Sequence, residues 1–312
     1  MTLPPLNRAL RRRPANRRSP GRTTLIRRLM MQEDINFLLT NRIPRLALTR
    51  AMGRISKIET PLLARASIAL WRKFCDVDLA DADAARYASL QAAFVRRLRP
   101  GARPVEDDPS VLVSPCDAIV GAHGPIVAGG MHQIKGFPYT LTDLLGDDAD
   151  AEPFRGGYFV TLRLTAGMYH RFHAPHDLVV ERVRYIAGDT WNVNPIALRR
   201  IERLFCKNER APISVRLDAG GLPLMLVPVA AVLVASIRLP FLEEVAGRHA
   251  RGIGTMRLAC PFAKGEEMGW FEHGSTILML APPGLSFAPA VEEGRLIRMG
   301  QPLMLLPGIR AG

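Results

Sequence analysis

Apolar residues change their spacing along this chain, from a helical period near the amino end to short runs typical of strands. Across residues 33–79 they recur every three or four positions, and Pro44, Gly53 and Pro61 divide the stretch into two or three helices. A further short helix is predicted over residues 83–98. Arginines and lysines fill the faces between the apolar positions, so the predicted helices are both basic and amphipathic.

From Val111 onward the pattern favours strands, because short apolar runs alternate with Gly, Pro and Asp. The clearest are Tyr158–Leu164 and Ile213–Leu217. Residues 219–237 are uncharged throughout, but internal glycines and prolines and alternating valines favour buried strands over a membrane-spanning helix. Ile277–Leu280 follows the same pattern. The fold class we predict is α+β, with basic amphipathic N-terminal helices followed by a β-rich, barrel-like or sandwich-like body.

The positive charge is concentrated at the amino end. Residues 1–73 contain 17 Lys or Arg and three acidic residues, whereas the remainder of the 312 residues is nearly neutral. Such a segment favours polyanions, either anionic lipid or nucleic acid. Nucleic acid is the less favoured partner because aromatic residues are not interleaved with the basic ones. The predicted helices fit a membrane interface, with Phe37 and Trp71 as aromatic anchors, and equally fit ordinary packed helices with a solvated face.

The first 30 residues and the cysteines bear on the compartment. Residues 1–30 contain nine arginines and no acidic residue, which predicts disorder and is compatible with a mitochondrial presequence or with a bacterial chain of GC-rich origin. The four cysteines are scattered without a C-x-x-C pair. This spacing argues against a zinc site or a disulfide framework and fits a reducing compartment.

The candidate chemistry lies in the Gly274–Ser275 bond, which joins a polar, glycine-broken segment to an uncharged run. With a base nearby, Ser275 Oγ can attack the carbonyl of Gly274 and convert the amide to an ester. Elimination and hydrolysis would then leave a pyruvoyl group, a ketone able to act as an electron sink. Gly-Ser-Thr alone is a common turn, and by itself it favours a loop that leads into a buried strand over self-cleavage.

Two other segments supply candidate acid–base groups. His170 and His173 lie three residues apart after the strand at 158–164, and histidine exchanges protons near neutral pH. A metal pair or a surface turn would explain them as well. Asp117 lies in a turn before an apolar run, where it is either a turn former or the partner that orients a histidine. Spacing alone does not establish that Asp117, a histidine and Ser275 meet.

Taken together, these segments resemble the phosphatidylserine decarboxylase family over roughly residues 40–290. The Lys264–Gly269 segment with Gly274–Thr276 carries the most specific part of the resemblance. The other matching blocks, in chain order, are Phe94–Pro104, Ser114–Asp117, Lys135–Leu141, Tyr169–His173, Gly188–Asp189, Val193–Asn194 and Asn208–Arg210. His273 departs from the family pattern, which often has Leu there, and Ala118 replaces a usual Gly.

The resemblance implies a role for each candidate residue. Ser275 becomes the self-processing serine and then the covalent pyruvoyl (pyruvate) cofactor, which forms a Schiff base with the substrate amine. Asp117 and His173 become the pair that activates Ser275, and His170 an acid–base residue in decarboxylation. Lys135 and Tyr169 are expected to contact the substrate, although Lys135 is as readily a solvated loop lysine. No metal is expected.

The resemblance also implies an organisation and partners. Residues 1–32 would be a disordered extension, residues 33–98 a membrane-associating helical region, and residues 99–312 the β-rich decarboxylase body, cleaved between 274 and 275. The substrate would be phosphatidylserine in an anionic membrane, with the enzyme peripheral on its cytoplasmic side, or on the mitochondrial inner membrane in a eukaryote. The two cleaved chains would form a heterodimer, or a dimer of these, without nucleic acid. The alternatives are a pyruvoyl decarboxylase of a soluble amino acid and an unprocessed basic protein that binds membrane or RNA.

Overall fold

The computed structural model has the predicted α+β class, with short helices and a predominantly antiparallel β body. It describes residues 51–75, 77–133, 137–231, 237–242, 254–272 and 275–308. The predictions for residues 1–50, including Phe37, lie outside the described residues, as do Lys135, His273 and Gly274. The division into three segments proposed from the sequence remains a prediction.

The named helices are short except for the first. α1 covers Pro61–Cys75, and residues 51–55 before it are also helical. The others are α2 (Leu90–Phe94), α3 (Leu141–Leu145), α4 (Asp148–Ala151), α5 (Pro195–Arg200) and α6 (Leu204–Lys207).

The helix predicted over residues 83–98 was too long, since α2 alone forms there. Ser89 caps its first turn by accepting a hydrogen bond from the Ala92 amide. Beyond its end, Leu98 forms a β-bridge with Ala82. Bends and irregular backbone occupy the residues between Ala82 and α2, and the bridge is a tertiary contact that local spacing does not reveal.

Sixteen strands form the described sheets. In chain order they are β1 (Val111–Val113), β2 (Ala118–Pro125), β3 (Gly130–His132), β4 (Pro138–Thr140), β5 (Tyr158–Leu164), β6 (Arg171–His173), β7 (Leu178–Arg184), β8 (Ile213–Leu217), β9 (Pro223–Ala230), β10 (Ile237–Arg238), β11 (Thr255–Phe262), β12 (Glu267–Phe271), β13 (Ser275–Ala281), β14 (Ser286–Phe287), β15 (Leu296–Ile297) and β16 (Pro302–Leu305). The strands predicted at Tyr158–Leu164 and Ile213–Leu217 are confirmed, and the uncharged run at 219–237 contains β9 and the first residue of β10.

The largest sheet has eight strands in the order β11-β7-β8-β9-β13-β5-β2-β15. β13 lies inside it, antiparallel to both β9 and β5, and all seven of its residues are buried. Ile277 and Met279 join one apolar core, whereas Leu278 and Leu280 join a second core on the opposite face. Because both faces are covered, this strand is continuously apolar rather than alternating.

Two of the smaller sheets have three strands each, and one of them carries a candidate histidine. β6 pairs with β12 in the three-stranded sheet β10-β12-β6, which places the histidine segment against the Glu267–Phe271 strand. β1, β16 and β14 form another three-stranded sheet. None of the helices in the described residues is long and apolar enough to cross a membrane.

Candidate active site

Ser275 is the first residue of β13, where it stands opposite Leu164 of β5 and Ala230 of β9. Its side chain is fully buried, and no described residue offers its hydroxyl a hydrogen bond. A buried polar group without a partner costs about 1–3 kcal/mol. An unpaired buried hydroxyl calls for an explanation. Among the described residues, Thr161 and Thr276 also lack a partner for their hydroxyls, and what distinguishes Ser275 is the cavity beside it.

A cavity of about 420 Å³ adjoins Ser275. Its walls are largely apolar, with Trp71 of α1 and Leu90 and Phe94 of α2 among them, and Arg163 of β5 also lines it. The ring of Trp71 lies 5.6 Å from that of Phe94, and its indole N–H donates to the Ala166 carbonyl. Trp71, predicted to be a membrane anchor, is therefore held against the body as part of the cavity wall.

His170 lies beside this cavity. Its Nδ1 donates to the Met168 carbonyl at 2.8 Å, and its imidazole stacks on Phe94 with the ring centroids 3.9 Å apart. The side chain is fully buried. The next residue, Arg171, fixes this segment because its Nε donates to the Val95 carbonyl at 2.9 Å while its guanidinium pairs with Glu267.

His173 lies at the end of β6 and is fixed by two hydrogen bonds. Its Nδ1 contacts the Gly265 carbonyl at 2.9 Å and must donate, so Nε2 accepts the Tyr169 hydroxyl, also at 2.9 Å. Burial lowers the pKa of His173, although the Gly265 bond opposes this shift. The ring is therefore a neutral base whose accepting nitrogen is bound to Tyr169.

Gly265 has a conformational reason to be glycine in addition to providing that carbonyl. Its φ is +82°, and a Cβ there would approach a Val105 methyl carbon to 2.8 Å. Gly265 therefore holds the turn whose carbonyl accepts the Nδ1 proton of His173 and so fixes the tautomer of that ring.

Asp117 is bound to arginine rather than to histidine. It accepts hydrogen bonds from Arg103 Nε at 2.9 Å and Arg103 Nη2 at 2.6 Å, and from the Met299 amide at 2.9 Å. Both side chains are nearly buried, and the hydrogen bond to Asp117 is the main cause that raises the pKa of Arg103. Ala118, which replaces the family's usual glycine, is not among the described residues with positive φ.

The predicted residues therefore fall around neighbouring cavities. Asp117 and Tyr169 line a cavity of about 500 Å³, which shares Cys75, Thr165 and Ala166 with the cavity of Ser275. Tyr169 also lines a third cavity of about 680 Å³ together with His173. Within the described ranges, no hydrogen bond or ion pair joins Ser275 to Asp117 or to His173.

The roles proposed for these residues remain predictions. Asp117 and Ser275 line cavities with common wall residues, whereas His173 lines a cavity that has no wall residue in common with that of Ser275. Lys135 and the Gly274 side of the cleavage site lie outside the described residues. In the part of the chain that the structure describes, no group of three or more His, Cys, Asp or Glu side chains could hold a metal ion.

The sequence reasoning assigned no role to several residues that shape the site. Arg103 and Phe94 belong to the Phe94–Pro104 block, so that block was visible although its contacts were not. Gly265 likewise lies in a recognised segment. Arg163 gave one signal, a charge inside an otherwise uncharged strand.

Comparison with known proteins identifies the class to which this site belongs. A sequence profile described as phosphatidylserine decarboxylase matches residues 90–305. A protein of Aliivibrio fischeri named phosphatidylserine decarboxylase proenzyme is 36% identical over 284 residues, which cover 87% of this chain and 98% of the relative. Proteins of the same name from Shewanella baltica and Brevibacillus brevis are each 34% identical, over 89% and 85% of this chain and 99% and 95% of their own lengths.

The chain belongs to the phosphatidylserine decarboxylase family. The matched region contains α2, Asp117 and both histidines, and it extends through Ser275 into β16. The resemblance inferred from the sequence blocks is thereby confirmed.

Proposed function

We propose that this chain is a proenzyme that cleaves itself between Gly274 and Ser275 and then decarboxylates phosphatidylserine to phosphatidylethanolamine. The observation that carries the proposal is the buried Ser275 hydroxyl, which lacks a partner among the described residues and borders a cavity. The relatives named phosphatidylserine decarboxylase proenzyme support the same substrate and the same processing.

Self-cleavage needs only groups that the chain contains, plus water. Ser275 Oγ loses its proton and attacks the Gly274 carbonyl carbon, and the C–N bond breaks as the nitrogen becomes the amine of residue 275. Loss of the α proton then breaks the Cβ–Oγ bond, so Gly274 leaves as a carboxylate. Water hydrolyses the remaining dehydroalanine, ammonia departs, and a pyruvoyl group is left on residue 275.

We assign His173 to accept the proton of Ser275 and Asp117 to stabilise the charged imidazole. Burial lowers the pKa of His173 and so favours the neutral ring that a base needs, while the charge of Asp117 is a minor opposing influence that favours the protonated ring. The Tyr169 hydroxyl occupies Nε2, so this role requires Tyr169 to pass on or release its hydrogen bond. His170, stacked on a cavity residue, is assigned to proton transfer during decarboxylation.

The buried start of β13 and its cavity fit a pyruvoyl group made from Ser275. When formed, this group supplies an electron sink for the loss of carbon dioxide. The apolar walls formed by Trp71, Leu90 and Phe94 would limit water around the substrate carboxylate. A carboxylate leaves more readily as neutral carbon dioxide where its charge is poorly solvated.

We further propose that the protein is peripheral on the cytoplasmic side of the membrane, and that the two cleaved chains stay together as a heterodimer. α1 exposes Leu62, Leu70 and Phe74, at 79%, 59% and 45% of their surface, and its last turn contains Arg72 and Lys73. This combination suits the boundary between lipid tails and anionic head groups. Each basic residue near an anionic surface contributes about 1 kcal/mol.

Intact-mass analysis of the purified chain is the decisive experiment. The wild type should give two chains, residues 1–274 and 275–312, and the second should react with hydroxylamine through its terminal ketone. Ser275→Ala should remain one chain and be inactive. A wild type that decarboxylates phosphatidylserine while uncut would contradict the proposal, and activity on free serine without lipid would favour a soluble substrate instead.

A further inference from the structure

Arg163 lines the Ser275 cavity from β5, where its Cα is paired with that of Thr276, the residue after Ser275. Among the described residues that line this cavity, it is the only charged one. Its side chain is partly buried, and burial lowers the pKa of its guanidinium. The cavity therefore contains a cation that has lost part of its hydration.

No described residue forms a hydrogen bond or an ion pair with this guanidinium, unlike the other arginines buried near the site. Arg103 pairs with Asp117, and Arg171 pairs with Glu267. Arg210 donates to backbone carbonyls, among them that of Leu144 at 2.7 Å. Burying a cation without compensation is unfavourable, so the position of Arg163 is best explained by an anion that enters the cavity from outside the chain.

The structure points to Arg163 as the residue that binds the phosphodiester of the substrate head group while the head group lies beside residue 275. This inference rests on the proposed function, because it names which part of that substrate the cavity recognises. A guanidinium donates two parallel hydrogen bonds to phosphate oxygens, which makes arginine well suited to this group.

The substrate carries a second anionic group, the carboxylate. The carboxylate and the phosphodiester differ in whether they keep their charge during the reaction. A strong ion pair to the carboxylate would stabilise the ground state more than the transition state, because the negative charge leaves that group as carbon dioxide forms. The phosphodiester keeps its charge throughout the reaction. Binding it lowers the KM without raising the barrier, so the phosphate is the productive partner for Arg163.

The test measures binding separately from chemistry, in the full-length Ser275→Ala protein, which has no ketone. The probes are glycerophosphoethanolamine, which has the phosphate and the amine but no carboxylate, and L-serine, which has the carboxylate and the amine but no phosphate. Calorimetric titrations then compare this protein with the double variant that also carries Arg163→Met. The second substitution should weaken the binding of glycerophosphoethanolamine by about tenfold or more, the usual loss for a hydrogen bond to a charged group, and leave the binding of serine unchanged. Arg163→Lys should give an intermediate loss of glycerophosphoethanolamine affinity, because lysine keeps the positive charge but lacks the two parallel N–H donors of the guanidinium.

Arg257→Met is the matched control, since Arg257 is an exposed arginine in β11 and its removal changes the net charge equally. It should alter neither titration. Weaker serine binding with unchanged glycerophosphoethanolamine would assign Arg163 to the carboxylate and overturn the inference. The inference would also be overturned if glycerophosphoethanolamine bound equally to the Ser275→Ala protein with and without Arg163→Met, or did not bind to the Ser275→Ala protein at all.

A kinetic comparison separates this failure from failure of the proposed function. Processed Arg163→Met should still form two chains and react with hydroxylamine, with a raised KM for phosphatidylserine in mixed micelles and a kcat close to that of the wild type. If the wild type neither cleaves itself nor decarboxylates phosphatidylserine, the proposed function fails whatever the titrations give. If it does both and Arg163→Met has an unchanged KM, only the assignment of Arg163 fails.

Discussion

Replacing Arg103 by methionine should destabilise the protein strongly, because it leaves the carboxylate of Asp117 buried without its counter-charge. The side chains of Arg103 and Asp117 are only 10% and 8% exposed, and their atoms approach to 2.6 Å. Removing one partner of a buried ion pair typically costs about 3–5 kcal/mol. Asp117 keeps its hydrogen bond from the Met299 amide, so we expect the lower end of that range, about 3 kcal/mol.

The assay is urea unfolding in the Ser275→Ala background, where self-cleavage cannot divide the chain. Adding Asp117→Asn to Arg103→Met should recover more than half of the loss, because the amide removes the unpaired charge and still accepts from Met299. Arg216→Met is the control. Arg216 pairs with Glu181 at 2.7 Å, but these side chains are 55% and 44% exposed, so its loss should cost at most about 1 kcal/mol.

The reasoning fails if Arg103→Met costs no more than Arg216→Met, or if Asp117→Asn adds a second loss instead of relieving the first. Either result would mean that solvent or a rearranged side chain compensates Asp117. The ion pair would then contribute little to the folding of this region.

Three further predictions follow from the site and from α1. His170→Ala should still be cut and react with hydroxylamine yet decarboxylate poorly, whereas His173→Ala should stay one chain by intact mass; the opposite pattern would reverse the two roles. The pKa of His173 is lower in the folded than in the unfolded state, so below about pH 6.5 the unfolded chain binds more protons and the free energy of unfolding falls with falling pH. His173→Gln in the Ser275→Ala background should make the free energy of unfolding depend less on pH. The reasoning would be contradicted if urea unfolding at several pH values gave the same pH dependence for both proteins. Leu62→Gln with Leu70→Gln should reduce flotation with anionic liposomes without slowing self-cleavage, and unchanged flotation would argue against α1 as the contact.

The fold was predictable where the local pattern matches the environment of the strand. β5 and β8 have the bounds that their apolar runs predict, and β13 extends the predicted run at 277–280 only slightly. The failure at residues 83–98 has a different origin. There Ala82 and Leu98 pair in a β-bridge, a contact between residues 16 apart that helical spacing does not predict.

The candidate site was likewise predictable from local residue types but not in its long-range contacts. Ser275 and the histidines were visible because their residue types and order are distinctive. Their partners were not visible, because they are distant in sequence: His173 bonds to a carbonyl 92 residues away, and Asp117 to an amide 182 residues away. Trp71 has a distant partner of the same kind, since its indole N–H donates to the Ala166 carbonyl 95 residues away, and its predicted contact with lipid stays a prediction.

The place of β13 in the chain ties the chemistry of Ser275 to the order of synthesis. The ribosome delivers β5 and β9 first, and residues 275–281 enter between them only after both have emerged. Until then β13 is not yet present between β5 and β9, and Ser275 does not have the buried surroundings that distinguish it from other serines. Under the proposed function, a nascent chain that already contains both histidines would not start the cleavage before residues 275–281 take their place in the sheet. Insertion of β13 would thus set the time at which Ser275 reaches its buried surroundings.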